Sequence, residues 1–302
     1  MIGSGPADSG SIPPVSAGRR SRLFPAPGDR RGFLIAIVST IVVFGLLGWV
    51  IVNAEGWPRV QESFFDPETF EESWPRVLRA FWVNVQLFLL AEVLVLVLGL
   101  VIAVLRSLPG AALAPVRLLA TAYVDLFRAL PGILVISMLG FGIPALRIEG
   151  LPNDEFFWAL VALTLLYSAY VSEVYRAGIE SIHPSQAAAA RSLGLSQLQA
   201  MRFVVVPQAI RRVIPPLLND FIGLQKDTAL VSVLGVVEVF RAAQIRQAAT
   251  FNSTPYIVTA LIFLVLTIPM ARFVDWLVRR EQRRGRGGVR PTPRVRARWG
   301  PG

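Results

Sequence analysis

Residues 81–105 read FWVNVQLFLLAEVLVLVLGLVIAVL, an apolar run in which Glu92 is the one charged side chain. As a helix rising about 1.5 Å per residue, it is long enough to cross a hydrocarbon core of about 30 Å. Lipid offers backbone amides no water to bond, so a run of this length folds as a helix. Arg106 closes it. Comparable runs lie at about 33–52, 118–141, 157–175, 213–237 and 256–278, and together they specify an all-α, polytopic bundle of about six spans. The composition agrees: of 302 residues 54% are hydrophobic and 17% charged, against about 25% charged in soluble domains, and the mean hydropathy is +0.56.

The formal charge of +10 is almost all arginine and is unevenly spread. Arg19, Arg20, Arg22, Arg30 and Arg31 precede the first run, and nine arginines from Arg279 to Arg298 follow the last. The 176–212 connection carries Arg176, Arg191, Arg202, Arg211 and Arg212 against Glu180 alone, whereas six acidic residues outnumber three arginines between Ala54 and Arg79. The positive-inside rule then places both termini and the 176–212 connection in the cytoplasm and the acidic segment outside. The chain divides into a disordered cytoplasmic tail (1–32), an extra transmembrane anchor (33–53), an extracytoplasmic segment (54–79), a core (80–278) and a basic cytoplasmic tail (279–302). No aromatic or folded module surrounds the tail arginines, so they are expected to face solvent or lipid headgroups and no nucleic acid.

Several chemistries are excluded. With no cysteine and one histidine, His183, the chain builds no Cys/His metal site and no disulfide. Its one lysine, Lys226, follows Leu224-Gln225 and no glycine-rich turn, so the chain has no phosphate cradle of the G-x-x-x-x-G-K-[ST] type. No cofactor, metal or catalytic residue is expected, and any ATP chemistry belongs to a partner chain.

The 176–212 connection is unusually long for a compact bundle. Within it, Pro184 can open a helix, the run Ala187–Ala190 can propagate it, and Gly194 can supply a left-handed stop. Leu193, Leu195 and Leu198 add an apolar edge able to enter a partner's groove; a surface-lying amphipathic helix is the plainer alternative. Ionisable groups inside the spans also need a reason. Glu92 is either a pathway carboxylate or a buried, hydrogen-bonded acid. Asn219 and Asp220 precede Lys226 and Asp227 by seven residues, which on a helix makes one polar stripe, suited to a water-filled path or a helix contact. Arg128, just before Pro131, belongs to an inner gate or anchors its span at headgroup level. Glu173 and Arg176, three residues apart, can pair on one face and position the connection.

Five ordered stretches resemble the permease subunits of ABC importers of the polar amino-acid uptake family, the histidine, glutamine and glutamate type. They are residues 123–131 (YVDLFRALP), 173–179 (EVYRAGI), Gln186 through Gly194, Pro207-Gln208-Ala209 and Lys226-Asp227-Thr228. The resemblance covers about residues 78–278 and implies a type I importer permease core in a bacterial cytoplasmic membrane, with the first span as an addition. It implies that the connection carries the family's coupling helix, which docks on a cytoplasmic ATPase. Gln186, Ala189, Ala190 and Gly194 match that motif, Leu193 supplies its apolar edge, and Ala188 stands where the family has an acidic residue. The implied partners are two ATPase copies, a second and different permease chain, an extracytoplasmic amino-acid-binding protein and membrane lipid. Arg128, Pro131, Asn219, Asp220, Lys226, Asp227 and Thr228 become the expected path or gate. The extended N-terminus resembles the longer permease of glutamate-type systems. A secondary transporter without an ATPase partner, or a membrane scaffold, are the alternatives.

Overall fold

The computed structural model describes residues 30–286. Of the two expected tails, residues 1–29 and 287–302 lie outside the described residues. The chain forms two units, divided between Arg59 and Val60. In the first, α1 (Arg30–Val52) is a helix of 23 residues with no polar face, as a helix surrounded by lipid requires.

All regular elements among the described residues are helical. A short helix, α2 (Trp57–Phe64), leads to α3 (Pro67–Arg106), a helix of 40 residues and so about 60 Å long. Asp66 caps α3 by accepting from Thr69 N at 3.0 Å, and Pro67 suits the first turn, where its missing N–H costs nothing. The acidic segment expected between spans is therefore helical for most of its length, and from Pro67 onward it is continuous with the second span. It is tied down by Asn252 Nδ2 donating to Glu62 O at 2.8 Å, by Asp66 N donating to Thr254 Oγ1 at 3.1 Å, and by an Arg246–Glu72 ion pair.

The main core lies where α3 meets α6 (Glu155–Glu180). Leu87, Ala91 and Val95, four residues apart on α3, are buried against Ala159, Ala162, Leu163 and Leu166 of α6. Small side chains let the two backbones approach, as lipid-embedded helices need in the absence of a hydrophobic drive between them. Gly99 marks a close approach: a Cβ there would stand 2.7 Å from Val171 Cγ1.

The third apolar run, read as one span over Leu118–Phe141, is two helices, α4 (Ala114–Ala129) and α5 (Gly132–Ala145), bent by 106° at Leu130-Pro131. The cause is local. A residue before proline is pushed out of the α region, and Leu130 sits at φ −87°, ψ 138°. The fifth run also departs from a single span. After α7 (Pro184–Ser192), α8 (Gln197–Ala200) and a π turn, α9 (Val206–Asp227) tightens into a 3-10 stretch over Thr228–Leu234. Gly235, at φ +97°, ends that stretch before α10 (Val239–Thr250), and the bend is 47°. The last helix, α11 (Thr254–Arg286), extends beyond the expected end of its span. Among the described residues, four helices are long and apolar enough to cross a membrane, or up to six if each bent pair is one span.

Candidate functional site

The connection between α6 and α9 is built from local signals. His183 caps α7, its Nδ1 accepting from Ser185 N at 3.2 Å, and Pro184 takes the first position. Gly194 at φ +92° closes the helix: its N–H donates to Arg191 O at 3.0 Å and that of Leu195 to Ala190 O at 3.3 Å. The inner face is set by Ala190 and Ala187, with Ala190 buried and Ala187 packed against the small core of Ile182, Val205 and Ala209. Gln186, Ala188 and Ala189 point outward and are exposed. Leu193 is 82% and Leu198 78% exposed, far more than leucines off the lipid-facing spans usually are. Ala188 is thus on the outer face.

The loop is tied firmly to both flanking helices. Arg212 of α9 donates to Ser181 O at the end of α6, and no side chain fits at Gly178, where Val213 packs on the bare backbone. Just above, Glu173 accepts from Arg106 Nη1 at 2.8 Å, pairs with Arg176 and has Arg128 Nη1 at 4.0 Å. Arg176 also reaches Glu180 at 2.5 Å. The pair expected from spacing, Glu173 with Arg176, is therefore the centre of a larger cluster that joins the ends of α3, α4 and α6. Arg128 has its guanidinium 6.0 Å from the centroid of the Tyr170 ring, and Pro131 is exposed at the α4–α5 break.

Farther along the bundle is a cavity of about 240 Å³, lined by Tyr167, Tyr170, Asn219, Asp220, Asp227 and Gly132, with Gly223 and two leucines. Tyr167 OH donates to Asp227 Oδ2 at 2.7 Å. Asp220 Oδ2 is buried and takes no hydrogen bond among the described residues, and Glu92 of α3 lies within electrostatic range of Asp220. A Cβ at Gly223 would stand 3.2 Å from Tyr167 Oη, so glycine keeps the tyrosine against α9. Three members of the expected stripe, Asn219, Asp220 and Asp227, thus share one cavity. Lys226 does not: it is exposed and off the lining.

Thr228 belongs to a different network, one that sequence reasoning missed. It donates to Gln225 O at 2.7 Å and accepts from Asn84 Nδ2 at 3.1 Å. Asn84 Nδ2 also donates to Glu238 Oε2 at 3.0 Å, while Asn84 Oδ1 accepts from Val239 N at 3.0 Å. Glu238, fully buried, caps α10 by accepting from Phe240 N and Arg241 N at 2.9 and 2.8 Å. The network fastens α3 to the start of α10. An asparagine inside an apolar run was its one signal in the sequence.

Residues 96–283 match the family described as binding-protein-dependent transport system inner membrane component. The chain belongs to this family. It is 38% identical to the probable glutamine ABC transporter permease protein GlnM of Bacillus subtilis, covering 65% of this chain and 90% of that one. Against the arginine transport system permease protein ArtQ of the same organism it is 33% identical over 68% of this chain and 92% of that one. The glutamate/aspartate import permease protein GltK of Escherichia coli O6:H1 is 32% identical, with 72% and 98% covered. Among solved structures, an amino acid ABC transporter crystallised with histidines matches 71% of this chain and 98% of its own at 32% identity and a TM-score of 0.65. The MetNI methionine ABC transporter, in inward-facing form, shares the fold at 21% identity, with 68% and 96% covered and a TM-score of 0.56. The family match takes in the connection, the arginine cluster, the cavity-lining residues and the buried network apart from Asn84; Glu92, α1 and α2 precede it.

Proposed function

We propose that this chain is the non-catalytic, membrane-spanning permease subunit of an ATP-driven importer that carries a polar amino acid across a bacterial cytoplasmic membrane. The observation that carries the reading is the placement of α7. It presents Ala188 and Ala189 outward, with exposed Leu193 just past its end and exposed Leu198 on α8, and its inner face packs on Ile182, just past the end of α6, and on Ala209 of α9, the helices that bring Tyr167, Asp220 and Asp227 to the cavity. A partner that moves α7 therefore moves both cavity walls. Such a two-state element, biased by a partner's closure, is how ATP energy reaches the path.

The partners are two copies of an ATPase on the α7 side, a second, different permease chain, an extracytoplasmic amino-acid-binding protein and lipid. Both termini and α7 lie in the cytoplasm, and the Arg106–Arg128–Glu173–Arg176 cluster sits at the inner mouth, where Arg128 and Pro131 act as gate residues. Asn219, Asp220 and Asp227 line the path; Lys226, exposed beside them, faces the second permease; Thr228 holds the path's outer end through Asn84. α1 is an added anchor and 54–79 an outer segment. The relatives above are named for glutamine, arginine and glutamate/aspartate, which supports the class of polar amino acids.

The test is uptake of a radiolabelled amino-acid panel in proteoliposomes holding the chain, with the partner permease, ATPase and binding protein omitted in turn. Uptake that needs internal ATP and external binding protein is the expected result. One observation favours the second reading, a secondary transporter: the broken span at Pro131, since discontinuous helices build ion-coupled sites. Uptake by this chain alone on an ion gradient would select it.

A further inference from the structure

The helix that leads from α7 into the membrane has one face that nothing in the chain covers. Taking the 176–212 connection as cytoplasmic, a placement that rests on the permease reading above, we propose that this face binds anionic phospholipid of the inner leaflet. Arg202 and Arg211 meet the phosphates, and Phe203, Val206, Ile210 and Ile214 lie against the acyl chains.

From α8 through the π turn into α9, one side of the helix is buried at Ala200, Val205, Ala209 and Val213. The other is bare. Phe203, Val206, Ile210 and Ile214 follow one another at spacings of three and four, the repeat of a single helix face, and all are exposed, Phe203 at 64% and Ile210 at 53%. A continuous apolar strip of this kind marks a surface that is covered in use. It runs about 16 Å along the helix axis, from the connection to the start of the fifth apolar run at about residue 213, and so crosses the zone between headgroups and hydrocarbon. The ATPase proposed above meets Leu193 and Leu198, which precede the strip, and a water-soluble partner cannot follow the strip into the bilayer.

The charge agrees. Between Glu180 and Asp220 the chain carries four arginines and no acidic residue. Arg212 is used within the fold, donating to Ser181 O. Arg202 and Arg211 are exposed, and neither side chain has an ion pair or hydrogen bond among the described residues; the Arg202 guanidinium lies 5.7 Å from the centroid of the Phe203 ring. Each arginine stands next in sequence to a member of the strip. Guanidinium groups match phosphate oxygens in paired hydrogen bonds, and basic side chains beside an apolar face hold a helix to an anionic membrane surface. A zwitterionic headgroup brings its own ammonium to the same place and cancels part of that attraction.

The site has a consequence for coupling. Val205 and Ala209, on the buried side of the same turns, form with Ile182 the small core on which Ala187 of α7 packs. Lipid on the outer side therefore backs the wall that holds α7, and membrane charge becomes a control on coupling.

The experiment uses the assembled transporter, with its partner permease and ATPase, in phosphatidylcholine nanodiscs containing a photoactivatable phosphatidylglycerol, and maps the labelled peptides by mass spectrometry. Labelling within residues 197–214 is expected, displaced about fivefold better by unlabelled phosphatidylglycerol than by further phosphatidylcholine, the factor that one arginine near an anionic surface supplies. Arg202→Gln with Arg211→Gln should abolish this preference and Arg202→Lys with Arg211→Lys should keep most of it, each checked for co-elution with the ATPase. If the glutamine pair does not assemble, the competition in the unaltered protein decides. Uptake per ATP hydrolysed should also fall in proteoliposomes of phosphatidylcholine alone. No labelling of 197–214, equal displacement by the two lipids, labelling that appears only once the ATPase is removed, or an undiminished preference in the glutamine pair would each overturn the inference. ATP-dependent uptake that is equal in both membranes would remove this inference and leave the permease reading standing, whereas loss of ATP dependence in every membrane would remove that reading.

Discussion

Replacing Gly194 with valine isolates the helix stop on which the coupling role of α7 depends. The residue sits at φ +92°, a left-handed conformation that costs a non-glycine residue about 1–2 kcal/mol, with β-branched side chains at the upper end. A Cβ there would meet nothing within 4 Å, so the cost is all backbone and no packing is disturbed. About 2 kcal/mol shifts the balance between the closed turn and a frayed end roughly thirtyfold toward fraying. The bonds at risk are Gly194 N to Arg191 O and Leu195 N to Ala190 O, which fix the direction of Leu193. In proteoliposomes the valine variant should insert and assemble normally, yet take up at least fivefold less substrate per ATP hydrolysed. Asparagine, which tolerates the left-handed region, should lose less than alanine, and alanine less than valine. Unchanged coupling in the valine variant, or equal losses for asparagine and valine, would refute the reasoning.

Glu173→Gln leaves Arg106, Arg128 and Arg176 facing one another without their shared counter-ion; partial burial makes the cost about 2 kcal/mol, read as a lower thermal midpoint of the detergent-solubilised complex, and an unchanged midpoint would mean that the cluster does not hold the helix ends. Asn84→Ala strips buried Glu238 and Val239 N of a partner, so a loss of about 2–4 kcal/mol is expected; wild-type resistance of the 239–250 region to proteolysis would argue against the network as the staple of α10.

What was legible in the sequence was what the chain decides locally. The spans could be read because lipid leaves an apolar run little choice but helix. The limits of α7 could be read because Pro184 and Gly194 act within their own turns. The break at Pro131 was half legible: the proline is visible, but a 106° turn depends on what α5 packs against. Partners far apart in the chain were not legible. Tyr167 and Asp227 lie 60 residues apart and Asn84 and Glu238 lie 154 apart, and no periodicity relates them. The stripe drawn through Asn219, Asp220, Lys226 and Asp227 assumed one uniform helix and left open how wide a face the cavity would use. It takes Asn219, Asp220 and Asp227 and stops short of Lys226, and the change to 3-10 geometry at Thr228 sends the next residue into a separate network.

The absence of cysteine makes the most direct measurement a clean one. A single cysteine placed at Leu193, at the end of α7, is paired with one in the groove of the co-expressed ATPase, and cross-linking is followed with and without ATP. A cysteine at Val265, exposed on α11, serves as the control. The docking account expects a cross-link from position 193 whose yield changes with ATP, and none from position 265. No cross-link from position 193, or equal yields from both, would contradict it.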